Sequence, residues 1–208
     1  IITPFAYTNV TPFNQTIWVR VENNTTNCYN TTTIELTVNE LPVLIQPTPL
    51  NLCDYINTGD EIEEFTLEDS IEQVLQGQTG INISFYETQE DADNDTNPIF
   101  SPYTNTSNAQ TIYIRGENEI TGCYSTITLD LRVNPIPSPA VPQAIEECDE
   151  DNDGFTFFTV EQNEVDIING ELDIVLSYHE TLTNAENGIE PIISPYYNIV
   201  PDSQIIFV

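Results

Sequence analysis

Positive charge is almost missing from this sequence. It contains no lysine, and its three arginines, Arg20, Arg115 and Arg132, face 34 Asp and Glu residues, which gives a net charge of −31. Nucleic acids and anionic lipid surfaces bind proteins through cationic side chains that displace counterions. The composition therefore excludes both as partners, while carboxylates at this density can attract divalent cations.

Long apolar runs are missing as well. No stretch approaches the roughly 20 apolar residues that span a bilayer, and no charged and then apolar segment opens the chain as a signal peptide would. We therefore expect no membrane insertion in this segment. Because the chain begins with IITPF rather than with Met, we expect it to be part of a longer, processed protein.

Residues for zinc binding and catalysis are scarce. Histidine occurs once, as His179, and the four cysteines, Cys28, Cys53, Cys123 and Cys148, show no Cys-x-x-Cys spacing. The sequence thus excludes the usual Cys/His zinc sites and offers no partner set for acid–base or nucleophilic catalysis. We predict that the chain is not an enzyme and requires no cofactor, and that its cysteines form disulfides in an oxidising compartment.

What the sequence does contain is an internal repeat of about 95 residues. Thr16–Pro42 aligns without a gap with Thr111–Pro137, so Cys28 falls on Cys123, and Cys53 falls on Cys148 at the same spacing. Further matches pair FTL with FTV, SFYET with SYHET and NPIFSPY with EPIISPY. We predict the C-terminal half of one repeat at 1–49, a complete repeat at 50–142 and the N-terminal two-thirds of another at 143–208.

The local patterns within one repeat favour β-strands. In TIWVRVEN, apolar and polar side chains alternate with a period of two, and the alternation returns in the run around Ile34, Leu36 and Val38. The polar segment between the two runs predicts an antiparallel hairpin. We therefore predict a mainly β fold, a series of tandem immunoglobulin-like β-sandwich repeats with one or two short helical crossovers.

Two segments of the repeat predict the helical crossovers. After Thr66 as N-cap, Leu67, Ile71, Val74 and Leu75 fall on one helical face. The runs TQEDADND, at 88–95, and TLTNAENG, at 181–188, predict a second turn. The acidic residues of TQEDADND are interpreted as its solvated face rather than as a metal loop.

The repeats are separated by the proline-rich segments ELPVLIQPTPL and NPIPSPAVPQ. Prolines at this density favour an extended, semi-rigid chain. We predict that these segments are spacers that hold successive repeats in a rod.

Arg20 and Arg115 occupy the same position of the repeat, and each is followed two residues later by a glutamate, Glu22 or Glu117. A ligand clamp is one interpretation. An ion pair across the sheet, with stacking on Trp18 or on Tyr113, accounts for both copies without a ligand. We favour this structural role.

The most specific polar motif is CDEDNDGF, in which Asp149, Asp151 and Asp153 alternate ahead of Gly154. It matches the first half of an EF-hand calcium loop. The second half departs from that pattern, because Val160 stands where the bidentate glutamate belongs. The motif therefore predicts either a calcium site at these three aspartates or a solvated acidic turn.

The unit as a whole carries F-Y-E-T, N-P-I, P-Y-T-N, Q-T-I-Y-I-R, T-G-C-Y-S-T and V-N-P-I-P in this order. It resembles the tandem repeats of giant cell-surface adhesins of gliding Bacteroidota that the type IX secretion system exports. The resemblance implies a filament on the cell surface that is anchored at the outer membrane and takes part in attachment and gliding motility. Its implied partners are neighbouring repeats, outer-membrane anchoring or motor-linked proteins, and a substratum or polysaccharide.

Three functions therefore compete. The first is a structural stalk of such a filament, and the second is a glycan-binding module that uses Trp18, Tyr103 or Tyr196 as a planar platform. The third is a non-catalytic spacer of a large secreted enzyme. The preceding copy of the repeat has Tyr86 at the position of His179. Because a catalytic histidine should not be exchanged for a tyrosine between copies, this difference argues against catalysis by His179.

The cysteines allow two pairings. One joins Cys28 to Cys53 and Cys123 to Cys148, across the spacers, and the other joins Cys53 to Cys123 within one repeat. The last strand carries the chain about 30 Å from the turn that holds Cys123, whereas disulfide Cα atoms lie within about 7 Å. We predict the Cys53–Cys123 bond, with partners for Cys28 and Cys148 outside this segment.

Overall fold

The computed structural model describes residues 7–208, which fall into two compact units, one up to Pro135 and the other from Ile136 to Val208. Within this range, no helix is both long enough and apolar enough to cross a membrane. Strands outnumber helices, and every helix is short. The chain is thus mainly β, as predicted, and its layers are compatible with a β-sandwich.

The first unit opens with an antiparallel hairpin. Strand β1 (Asn14–Glu22) pairs with β2 (Tyr29–Thr37), and Ile17 lies opposite Ile34. In β1 the apolar Ile17 is half-buried and Trp18 is exposed, which confirms the period-two alternation. The hairpin predicted from the sequence is therefore present.

A four-stranded sheet forms the centre of the second repeat, in the order β3-β8-β7-β5. Strand β8 pairs antiparallel with β7 and parallel with β3, and β7 pairs antiparallel with β5. The short strand β3 therefore lies at an edge. The strands are β3 (Leu50–Cys53), β5 (Ile81–Tyr86), β7 (Gln110–Asn118) and β8 (Tyr124–Asn134).

A second layer covers one face of this sheet. It contains the two-residue ladder of β4 (Glu64–Phe65) with β6 (Tyr103–Thr104), a 3₁₀ turn (Leu67–Ser70) and helix α1 (Ile71–Leu75). Phe65, Leu67 and Val74 of this layer pack in one core with side chains of the sheet. The core residues contributed by β7 and β8 are Ile112, Ile114, Leu129, Leu131 and Val133.

Both predicted helical crossovers are present. Thr66 does not cap the first through its side chain, but the apolar face is correct, with Leu67 and Val74 fully buried. The second is α2 (Gln89–Asn94), where the Thr88 hydroxyl accepts a hydrogen bond from the backbone N–H of Asp91 at 3.1 Å. Its counterpart α4 (Leu182–Asn187) is closed by Gly188 at φ 61°. Glycine takes that left-handed conformation without the steric cost of a Cβ.

The second unit repeats these elements. Strands β9 (Phe157–Phe158) and β10 (Tyr196–Tyr197) pair like β4 and β6, and a 3₁₀ turn (Val160–Asn163) leads into α3 (Glu164–Ile168). Val160, Ile167 and Tyr178 form its core. His179 bridges to Phe207 as Tyr86 pairs with Tyr113, so the final residues QIIFV take the place of β7.

The proline-rich segment before β3 is not a free spacer. The Pro42 carbonyl accepts a hydrogen bond from the Ser125 hydroxyl at 2.8 Å, and the Gln46 amide donates to the Thr128 carbonyl at 2.8 Å. Leu44 packs against the core. Residues 42–49 therefore run along β8, in contact with the second repeat, whereas we had expected an extended spacer between repeats.

Candidate functional site

The three aspartates of CDEDNDGF lie together in the loop before β9. One carboxylate oxygen from each lies within 4.8 Å of the others, and Asp151 and Asp153 are exposed. The two oxygens of Asp149 accept backbone N–H groups of the loop, including that of Gly154 at 2.7 Å. The turn is closed by Gly154 at φ 86°, a conformation that favours glycine.

The carboxylates of this loop perturb one another. Backbone donation from Gly154 lowers the pKa of Asp149 below its usual range. The pKa of Asp151 is raised, because its side chain shares a hydrogen bond with Asp149 and because the charge of Asp153 is close. A divalent cation would relieve this repulsion, since it neutralises neighbouring carboxylates.

The same loop in the second repeat shows which part of the motif is structural. Asp54 matches Asp149, and its carboxylate accepts the N–H of Gly59 at 2.6 Å. The positions of the other two aspartates are held there by Ile56 and Thr58. The first aspartate is thus a turn-forming residue in both copies, and a cation would depend on Asp151 and Asp153 in the second unit.

We predict that millimolar calcium raises the melting temperature of the second unit. Extracellular calcium modules bind in the range of about 10⁻⁴–10⁻³ M, and ligand at ten times its Kd stabilises a fold by about 1.4 kcal/mol. Asp151→Asn should abolish the shift. Differential scanning calorimetry of the 208-residue chain with and without calcium measures it.

Asp93→Asn is the matched control for this experiment. Asp93 is an exposed aspartate of the acidic run in α2, which we interpret as a solvated helix face. This variant should keep the full calcium response. A response that is absent from the unmodified chain, or unchanged in Asp151→Asn, would contradict a calcium site in this loop.

The two arginines at equivalent positions make similar contacts. Arg115 pairs with Glu117 on its own strand and lies 3.4 Å above the ring of Tyr124. Arg20 pairs with Glu22 at 3.1 Å and lies 3.5 Å above Tyr29. The ion pairs are therefore within a strand rather than across the sheet, and the stacking partners are these tyrosines rather than Trp18 or Tyr113.

Arg115 differs from Arg20 in its surroundings. Its side chain is 8% exposed, against 51% for Arg20, and it also donates to the Ala92 carbonyl at 2.9 Å and to the Asp93 carbonyl at 3.3 Å. It therefore joins helix α2 to the sheet. The contacts that we observe at Arg115 are all within the repeat.

His179 is enclosed by its own repeat. It is 1% exposed, and its ring nitrogens lie 2.8 Å from the Ile189 carbonyl and 2.9 Å from the Ser177 hydroxyl. Tyr86, its counterpart, contacts Ser84 in the same way at 2.9 Å. Histidine and tyrosine thus fill one structural position.

The three candidate glycan platforms differ in exposure. Trp18 is 74% exposed, whereas Tyr103 is buried and Tyr196 is half-buried. The hydroxyl of Tyr103 contacts Glu87 at 3.0 Å and accepts a hydrogen bond from Gln110 at 2.7 Å. Tyr103 is therefore a core residue and not a platform, contrary to its place among our candidates.

A buried asparagine recurs in both units and was not among the residues that we predicted from the sequence. The Asn105 side chain accepts the N–H of Glu63 at 2.7 Å and donates to the carbonyls of Glu61 and Ser107. Asn198 makes the equivalent three bonds, to Thr156, Gly154 and Val200. The sequence did contain a pattern that could have identified them, since each asparagine stands two residues after the matched segment S-P-Y.

The second repeat has two chemically distinct ends. We call the end that holds Cys123 and the turn between β7 and β8 the proximal end, because the chain reaches the repeat there, where Pro42 contacts Ser125. The opposite end, where β8 finishes at Asn134, is the distal end. Cys53 lies there, opposite Asn134 in the parallel ladder.

This placement excludes the predicted bond between Cys53 and Cys123. Strand β8 runs from Tyr124 to Asn134, and strands rise about 3.3 Å per residue, so the two cysteines are separated by roughly 33 Å. Disulfide Cα atoms lie within about 7 Å of each other. Our prediction is wrong because the segment from Pro42 to Cys53 runs beside β8 along its whole length, so Cys53 lies at the end of the repeat opposite to Cys123.

The remaining cysteines occupy the matching places in their own repeats. Cys28 directly precedes β2, as Cys123 precedes β8, and Cys148 precedes Asp149 as Cys53 precedes Asp54. All four thiols are free in this structure, and Cys28, Cys53 and Cys148 are exposed. The second repeat thus holds both an exposed cysteine, Cys53, and a half-exposed one, Cys123.

Comparison with known proteins adds one match. The family described as the Flavobacterium inter-domain disulphide bond domain matches three consecutive segments, 1–42, 49–137 and 144–208. No curated protein and no solved structure matches the chain. The three matches follow the internal repeat, and the family's description concerns a disulfide between domains.

Proposed function

Because the chain belongs to the Flavobacterium inter-domain disulphide bond domain family, we propose that it is a stalk segment of a long filamentous adhesin on the cell surface. Its repeats are immunoglobulin-like sandwiches, and it serves surface attachment and gliding motility. It is exported by type IX secretion and anchored at the outer membrane through other parts of the protein or through partner proteins.

The observation that carries this proposal is the succession of family matches along one chain. Stacked copies of one module form extended structures that are suited to span distance. The buried asparagine networks at Asn105 and Asn198 are the same in both units, and so are the contacts of Tyr103 and Tyr196 with their glutamine and glutamate partners. The contacts that recur in both units therefore stabilise the fold of the repeat.

Charge supports an extracellular stalk. The net charge of −31 gives strong mutual repulsion between chains, which favours solubility and opposes aggregation at high surface density. Exposed cysteines that can form disulfides also fit an oxidising compartment. In this proposal the segment has no catalytic role and needs no cofactor, with calcium as an added stabiliser of the acidic loop.

The proposal predicts that the native protein is very large. On a denaturing gel, an antibody against this segment should detect a species of several hundred kilodaltons, because a filament needs many such repeats. The same antibody should label the surface of intact cells and reduce their attachment to glass. A native species near 23.4 kDa, or an antigen confined to the cell interior, would contradict a filament stalk.

A glycan-binding module is the second candidate, and the exposure of Trp18 is the observation that favours it. Flat, exposed aromatic rings are suited to stack against the apolar faces of sugars. Glycan-array binding that is lost in Trp18→Ala and kept in Phe100→Ala, which removes another ring that is 74% exposed, would favour this module over a stalk.

A further inference from the structure

Strand β7 contains a glycine in its interior. Gly116 lies between Ile83 of β5 and Ser125 of β8 in the sheet, and its backbone is not in the left-handed region that favours glycine. Glycine weakens the interior of a strand, and it often marks a site where another part of the chain approaches closely. The first repeat has Val21 at this position. A close approach to β7 therefore has to explain the glycine of the second repeat.

That approach is made by residues 42–49, which we call the incoming segment. A Cβ atom added at Gly116 would lie 2.5 Å from Cδ2 of Leu44, 3.2 Å from its Cδ1 and 3.2 Å from Cγ2 of Ile81. Carbon atoms that are not bonded to each other pack at about 3.5–4.0 Å. A side chain at position 116 and Leu44 in its present place therefore exclude each other.

Leu44 occupies the end of a line of core side chains. Ile112 and Ile114 belong to the core, and position 116 shares their face of β7 because side chains alternate along a strand. Leu44 packs against the same core. At the proximal end of the core, Leu44 thus takes the place that the first repeat gives to the side chain of Val21 on its own strand.

The backbone of the incoming segment is attached in the same way in both units. The Ile45 N–H donates a hydrogen bond to the Val74 carbonyl at 3.0 Å, and the Ala140 N–H donates to the Ile167 carbonyl at 3.1 Å. The side chain before this N–H is different, because Pro139 stands at the position of the leucine and is exposed. The backbone bond is thus common to both copies, whereas the leucine belongs to the segment that meets the glycine.

We propose that the residue at position 116 selects which incoming segment the repeat accepts. Glycine admits a segment with a large aliphatic side chain, which completes the core and fastens the segment to the repeat. Valine, the residue of the first repeat, fills this space itself and excludes such a segment. Gly116 and Leu44 are therefore a matched pair, and the segments that lead into different repeats are not interchangeable. The inference deepens the proposed function and rests on it, because a fastened joint matters in a stalk that transmits force.

The polar contacts of the incoming segment select much less. Gln46 donates to the backbone carbonyl of Thr128, and Ile45 donates to that of Val74. Backbone carbonyls are present at these places whatever the side chains of the repeat are. The space beside position 116 depends on the residue there, so this contact distinguishes one repeat from another.

Exchange of the Ile45 amide hydrogen tests the pair, because this amide is bonded to Val74 while the incoming segment is attached. The 208-residue chain is compared with Gly116→Val, Leu44→Ala and the double variant. Overpacking in Gly116→Val should accelerate the exchange by about 5- to 150-fold. In the double variant, the valine fills the space that Leu44 leaves. The combined acceleration should therefore fall below the product of the two single ones by more than about twofold, the limit for independent sites.

Val43→Ala is the matched control. Val43 precedes Leu44 in the incoming segment and is 64% exposed. Combined with Gly116→Val, it should give the product of the two single accelerations within about twofold. If Gly116→Val does not fold, the addition of Leu44→Ala should restore folding, and the addition of Val43→Ala should not.

The inference would be overturned by unchanged exchange of the Ile45 amide in Gly116→Val. It would also be overturned if the double variant with Leu44→Ala shows the full product of the single effects or does not fold. That result would mean that Ile81, rather than Leu44, opposes the valine. A native species near 23.4 kDa would instead contradict the proposed function and would leave the packing of the pair untouched.

Discussion

Leu131→Ala should lower the free energy of unfolding of the second repeat by about 2–5 kcal/mol, the usual cost of removing a fully buried leucine side chain. Leu131 is 0% exposed and lies at the middle of the sheet, with Leu50 of β3 on one side and Gln110 of β7 on the other. The substitution leaves a cavity where the sheet meets its covering layer. Urea unfolding measures the change in the free energy of unfolding. Hydrogen exchange of the β7 and β8 amides assigns that change to the second repeat.

Ile120→Ala is the control for this variant. Ile120 lies in the turn after β7 and is 94% exposed, so its truncation removes little buried surface. Substitutions at such sites usually change stability by less than about 0.5 kcal/mol. Similar losses for the two variants would show that Leu131 is not in the core that we describe.

Arg115→Ala should destabilise the second repeat by about 2–3 kcal/mol, because it leaves two backbone carbonyls, one of them buried, without this donor and removes the stacking on Tyr124. Those carbonyls belong to Ala92 and Asp93 of helix α2. Glu117 is partly exposed and can be solvated again, which limits the loss. The helix should also become less protected in hydrogen exchange, since the guanidinium attaches it to the sheet.

Arg20→Ala provides a control with the same local sequence. Arg20 also has a glutamate two residues later and a tyrosine ring beneath its guanidinium, but its side chain is 51% exposed. Exposed ion pairs contribute about 0–1 kcal/mol. We therefore expect Arg20→Ala to be nearly neutral. If the two variants lower stability equally, the contacts of Arg115 with helix α2 do not account for its contribution to stability.

The elements of the repeat could be predicted from the sequence because local patterns determine them. The hairpin follows from the alternation around Ile17 and Trp18, and the helical segment follows from the spacing of Leu67 and Val74. The equivalence of the two copies follows from the matched segments. These features depend on neighbours along the chain, which the sequence lists directly.

The course of residues 42–49 could not be predicted in the same way. Their prolines are typical of a spacer, yet proline is also tolerated in an edge position, where one side of the strand forms no ladder. Here Leu44 packs into the core and β3 forms the sheet edge. That choice depends on a pairing with β8, more than 80 residues away, and the error in the cysteine assignment followed from it.

The acidic loop and the arginines show the same limit. The sequence identified Asp149, Asp151 and Asp153 as a group, and the structure brings their carboxylates together. The sequence alone could not distinguish the turn-forming role of Asp149 from a role as a metal ligand, because both roles use the same side chain. Nor could it distinguish Arg115 from Arg20, since the contacts with α2 come from a distant segment.

The parallel ladder between β3 and β8 also determines how the second repeat responds to tension. The chain enters the second repeat beside β8 at Pro42 and leaves it at the end of β8, at Asn134. A force that pulls these two connections apart therefore slides β3 and β8 past each other along their length. The hydrogen bonds between them are then loaded in shear, all at once, instead of being unzipped one by one. Resistance to stretching is governed by the rate of unfolding. A repeat built in this way therefore yields in a single concerted rupture and holds its length below that load.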